Sequence, residues 1–175
     1  MLSDPLTLYK LMILYLLKQA KFPLSNSQLS EFFLEKEYTT YFTLQEALND
    51  LLEAHLMTQE TIRNSSRYEI TREGEETLVY FGSSISEGIV EDMDNFLREN
   101  KIRLRNEVGV VADYYKATSG DYMVECEIRE GKSTLVKLEL AVPTEDQAEL
   151  MCDRWQDANQ AIYAFLMQEL LKENP

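Results

Sequence analysis

The chain has 175 residues and a net charge of −14, from 17 basic and 31 acidic side chains. Apolar residues make up 45%, enough for packed cores, but the longest apolar run, Leu11 to Leu17 between Lys10 and Lys18, falls short of the ~20 residues that cross a bilayer. No membrane partner is therefore expected. Cys126 and Cys152 are isolated and His55 is the single histidine, so no zinc spacing exists. There is no Gly-rich phosphate loop, Ser/His/Asp set or metal cluster, so neither a metal nor a cofactor is expected and the chain is not read as an enzyme. A start without a basic leader region, and two thiols read as buried and reduced, point to the cytoplasm.

In chain order, apolar residues at helical spacing predict a first helix from about Leu6 to Ala20, with Pro5 in its first turn. Phe22-Pro23-Leu24 breaks it. Ser25 or Asn26 is expected to cap a second helix carrying Leu29, Phe32, Phe33 and Leu34. Tyr38 to Phe42 reads as a β-branched and aromatic connector. Thr43 with Glu46 reads as a capping box for a third helix, whose buried stripe is Leu44, Ala47, Leu48, Leu51 and Leu52. Met57–Ile62 and Arg67–Ile70 read as hairpin strands around the turn Asn64-Ser65-Ser66, and Thr71 opens a short helix to about Phe81. This order of helices and hairpin is that of a winged helix-turn-helix. Gly82-Ser83-Ser84 is the expected boundary, giving domains 1–82 and 83–175.

The second half opens with a helix from about Ser86 to Asn100. Lys101, Arg103 and Arg105 then alternate with Ile102 and Leu104 like an edge strand. Three segments alternate with a period of two: Val108 to Tyr114, Tyr122 to Ile128, and Val136 to Val142. Hairpin turns at Ser119-Gly120-Asp121 and Glu130-Gly131-Lys132 join them into an antiparallel meander. Thr144 and Gln147 predict the cap of a last helix reaching Glu169 to Lys172, about 40 Å long. The fold class is α+β: a winged helix, then a helix, a three-stranded antiparallel sheet and a long C-terminal helix.

The stretches Leu6-Thr7-Leu8-Tyr9-Lys10-Leu11, Phe22 to Ser30, Tyr41 to Gln45, Glu60 to Tyr68, Leu104 to Val108 and Ala112 to Tyr115 together resemble a family of bacterial proteins known as a domain of unknown function. That resemblance covers nearly the whole chain and implies a fold and a bacterial cytoplasmic setting, without an activity. More distantly, Ala47-Leu48 through Leu56-Met57, and Tyr68 to Thr71 followed by Gly74, are similar to MarR- and PadR-type transcriptional regulators. In those, the third helix enters the major groove and the wing touches the backbone. Two departures stand out: His55 occupies the place where such regulators often carry Gly, and the third helix has no Arg or Lys.

The third helix is expected to expose Thr43, Gln45, Glu46, Asn49, Asp50 and Glu53. Gln45 and Asn49 suit bidentate bonds to adenine, yet the three acids repel phosphate, and a solvated or protein-facing surface is the plainer reading. At the wing, Arg63, Asn64, Ser65, Ser66 and Arg67 suit phosphate or minor-groove contact, against an ordinary hairpin with edge-protecting charges. Asn26, Ser27 and Gln28 can hold a phosphate at a helix N-terminus or merely cap it. Tyr114, Tyr122 and Trp155 can line a small-molecule pocket or simply pack a core. His55 fits a left-handed turn. The expected function is a transcriptional regulator that binds double-stranded DNA as a homodimer, with third helices about 34 Å apart. The alternative is a protein-interaction module on a winged helix that no longer binds DNA. The acidic total makes the choice depend on the local field at the contact surface.

Overall fold

The computed structural model describes residues 4–174; the first three residues of the start read above for a leader lie outside that range. Among the described residues are six α-helices and two three-stranded antiparallel sheets, a mixed α+β chain. They fall into two compact units, the first ending at Val108 and the second starting at Gly109.

The first unit opens with α1 (Pro5–Ala20). Asp4 caps it by accepting from the Leu6 N–H, and it stops at Lys21, whose φ of 62° no helix continues. Its middle turns are buried on nearly every side, which makes it the centre of the core. A short strand β1 (Leu24–Ser25) leads into α2 (Asn26–Glu35). Ser25 and Gln28 form the reciprocal capping box there. α3 spans Tyr41–Glu53 and begins two residues before the expected cap: Thr40, not Thr43, accepts from the Thr43 N–H. β2 (Met57–Ile62) and β3 (Ser65–Ile70) form a hairpin. Its turn is Arg63-Asn64, so Ser65 and Ser66 lie within β3 rather than in the turn. β1 pairs with the other side of β3, giving the order β1-β3-β2 with Leu24 opposite Tyr68. α4 (Arg72–Phe81) follows, capped by Thr71, and a single 3-10 turn (Gly82–Ser84) leads to α5 (Glu87–Gly109).

α5 runs through the Lys101–Arg105 segment that alternation suggested was an edge strand. Met93, Leu97, Leu104 and Val108 recur at helical spacing and are buried, whereas Ile102 is exposed. Apart from Val108, these residues join the core of α1, α2 and α3, so the segment from Ile85 to Val108 packs with the first half. Two tyrosines fix it there. The Tyr15 hydroxyl donates to Asp94 at 2.6 Å and that of Tyr38 to Asp92 at 2.5 Å. Burial, then the hydrogen bond and the carboxylate charge, push both phenols up to about 12.

In the second unit β4 (Val110–Lys116), β5 (Tyr122–Glu130) and β6 (Ser133–Val142) form a meander in that order. Ala112, Val124, Cys126 and Ile128 face α6 (Glu145–Leu170), which supplies Ala148, Cys152 and Trp155 to the same core. Thr144 caps α6 by accepting from the Gln147 N–H. Both thiols are buried and unlinked. Burial, with Cys152 nearby, pushes Cys126 up to about 11.

Candidate functional site

The surface formed by α2, α3 and the β2–β3 hairpin gathers most of the residues singled out from sequence, and the structure employs many of them internally. Asn26 and Gln45 exchange amide hydrogen bonds, 2.8 Å one way and 3.0 Å the other. Asn26 also donates to the Tyr68 hydroxyl and accepts from Ser30. Gln28 is buried. Besides completing the capping box, its amide donates to the Leu104 carbonyl at 3.0 Å and to Glu107 at 2.8 Å.

Arg67 sits on β3, the central strand of its sheet, opposite Ser25 on one side and Glu60 on the other. Its residue is only 9% exposed, and its guanidinium donates to the Val108 carbonyl. The carbonyls of a helix's last turn have no intrahelical donor and carry the negative end of the helix dipole. Arg67 supplies a donor to one such carbonyl, that of Val108, while Gln28 adds a donor to the Leu104 carbonyl, one turn earlier, and to the Glu107 side chain. A wing arginine and a helix-start glutamine are thus drawn inward, a use that depends on α5 continuing past Asn100.

What remains exposed differs from expectation. Arg63 and Asn64 form the hairpin tip, Arg63 at a φ of 52°. Ser66 accepts from the Gln59 amide, and Thr43, half-buried, is bonded to Thr40. On α3, Phe42, Glu46, Asn49 and Glu53 lie at spacings of four, three and four and form one exposed stripe. Phe42 is 84% exposed, and its ring meets that of Tyr41 edge-on at 6.2 Å. The sequence pattern alone places both aromatics in a connector. Counting the helix from Tyr41 places Phe42 on the outer stripe. Asp50 pairs with Lys10 at 3.4 Å and belongs to the flank.

On α5, Arg103 is paired with acids: it binds Glu31 at 2.7 Å and Glu107 at 3.0 Å. A hollow of about 160 Å³ beside the hairpin is lined by Pro23, Thr58, Gln59, Glu60, Arg67 and Glu69, two acids against one largely buried base. His55 adopts the left-handed conformation after α3, with φ at 58°, and its carbonyl accepts from Thr71.

In the second unit Tyr114 and Tyr122 meet edge-on at 6.2 Å, and the Tyr114 hydroxyl donates to Glu145 and Glu149. Trp155 is buried and bonds the Glu127 carbonyl. Tyr114 and Tyr122 pack against the same core that holds Trp155, so the structure employs the three rings in packing. Among the described residues no group of three or more His, Cys, Asp or Glu is arranged to hold a metal. Among those residues, too, no helix is long and apolar enough to cross a membrane.

A family model described as a domain of unknown function matches residues 9–170. No curated protein and no solved structure gives a match.

Proposed function

The chain belongs to the DUF4364 family, and from that premise we propose that its first unit is a winged helix that docks a protein partner through the outer stripe of α3. The winged-helix reading is supported by the element order α1-β1-α2-α3-β2-β3 and the strand order β1-β3-β2. The choice of a protein partner is supported by one observation above all. The side chains best suited to bases or phosphates, Asn26, Gln28, Gln45 and Arg67, are hydrogen-bonded within the unit. The helix that would enter a groove offers an exposed phenylalanine and two carboxylates, with Asn49 between the two acids as its one exposed amide. An aromatic anchor ringed by acids suits a partner with an apolar socket and cations around it. Duplex DNA offers a negative backbone to the same acids.

The second reading is a cytoplasmic, homodimeric regulator that binds double-stranded DNA. It is favoured by the exposed tip residues Arg63 and Asn64. One pair of measurements separates the two. A Phe42→Ser, Glu46→Lys variant should lose a partner that the natural chain captures from its source cells. The natural chain should also leave genomic duplex fragments unshifted at about 50 mM salt. Retained capture by the variant, or duplex binding that disappears with Arg63→Ala, rejects the protein-docking reading.

A further inference from the structure

We propose that the C-terminal half of α6 is the seam of a homodimer, packing against the same segment of a second copy. This holds under either reading of the first unit. α6 has 26 residues, about 39 Å at 1.5 Å per residue. Its last buried residue is Asn159, and Ile162 and Tyr163, half-buried, mark the edge of the second core. Beyond them the helix runs on with Phe165 61%, Leu170 79% and Leu171 70% exposed, and with Met167 exposed as well. Tyr163, Leu166, Met167 and Leu170 follow one another at steps of three, one and three, so that 163–167 and 166–170 are each four apart, the three-four pattern of a helix–helix seam. A helical end of this length is marginal in water on its own, and one rich in exposed leucine is stabilised by whatever covers it.

Charge identifies the cover. Residues 145–159 of α6 hold five acids and one base, whereas residues 160–172 hold one of each, Glu169 and Lys172. In a two-fold contact a patch meets itself, so any net charge on it is repelled by its own copy. The neutral stretch is where a chain of charge −14 can approach a duplicate without that cost. A basic partner protein would be drawn to the acidic half of the helix instead. A lipid surface would call for several flanking cations, and Lys172 is the single one in the stretch.

The test is sedimentation equilibrium of the full chain at about 10–100 µM, a range that detects micromolar association. The natural protein should sediment at twice its 20.4 kDa mass. Met167→Glu with Leu170→Glu should restore the single mass while the emission of Trp155, buried in the second core, stays unchanged. Leu150→Glu, an exposed leucine in the acidic half of the same helix, should leave the dimer intact. Should the double variant disturb Trp155, a Met167→Cys chain treated with a bis-maleimide reads the seam directly, since the two natural thiols are buried: a covalent dimer supports the proposal and its absence overturns it. A monomeric natural chain, a double variant that remains dimeric, or dissociation by Leu150→Glu also overturns it.

Discussion

The side-chain amides of Asn26 and Gln45, one opening α2 and the other on α3, hydrogen-bond to each other in both directions. The pair ties the two helices together and satisfies the groups that would otherwise read a base edge. Gln45→Ala is expected to cost about 1 kcal/mol, the usual net value of such bonds. Asn26→Ala should cost more, because Asn26 also bonds Tyr68 and Ser30. In urea denaturation the double variant should lose less than the sum of the two, the mark of a shared interaction.

The two hairpin arginines should separate sharply. Arg67→Ala removes a buried donor from the end of α5 and the packing of its aliphatic stem, a loss of roughly 2–3 kcal/mol. Arg63 stands at the turn with positive φ, a conformation that strains any side chain with a Cβ. Arg63→Gly should therefore leave the melting temperature unchanged or raised. Equal destabilisation by both substitutions would contradict these assignments.

Gly74, in the first turn of α4, is required by close approach. A Cβ there would lie 2.1 Å from the Leu56 carbonyl oxygen, which already accepts from the Thr71 N–H. Because backbone must move, Gly74→Ala is expected to cost about 2 kcal/mol or more. Gly88, in the first turn of α5, has nothing within 4 Å of its would-be Cβ. Gly88→Ala should instead gain about 0.5–1 kcal/mol. Thermal denaturation of the two variants checks both signs.

Tyr15 and Tyr38 link stability to high pH. Each phenol is raised from 10.0 to about 12 in the folded chain, so the folded state keeps a proton that the unfolded state releases between those values. Stability from this source is complete below pH 10 and is lost as pH climbs toward 12. Tyrosinate absorbance should show three late-titrating groups that move to ordinary pH in urea, because burial and the Glu149 and Glu145 carboxylates raise Tyr114 as well. Tyr15→Phe with Tyr38→Phe should flatten this alkaline loss.

The helix order, the hairpin, the meander and the placement of Leu44, Ala47, Leu48 and Leu51 were legible because amphipathic spacing is a local property; β1, which completes the first sheet against β3, was not, because two residues show no alternation. Helix ends were less so. Thr40 and Thr43 are both good caps, and the choice between them moves Phe42 from a loop onto the outer face of α3. Lys101 to Arg105 alternates like a strand, yet Leu104 and Val108 are buried at helical spacing, Leu104 against distant residues of the first core. The same long-range contact decides the candidate site. Nothing near Gln28 or Arg67 in sequence announces that the carbonyls of Leu104 and Val108 will come within reach of their side chains. Residue type alone therefore does not distinguish a polar side chain available to a ligand from one hydrogen-bonded within the fold, as Asn26, Gln28, Gln45 and Arg67 are.

Cys126 and Cys152, closed within the second core, make a built-in clock. A buried thiol reacts with alkylating agents only when its surroundings open, and burial also holds Cys126 in its protonated form. The rate at which these two sulfurs become labelled in an otherwise native sample therefore reports how often the β-meander parts from α6.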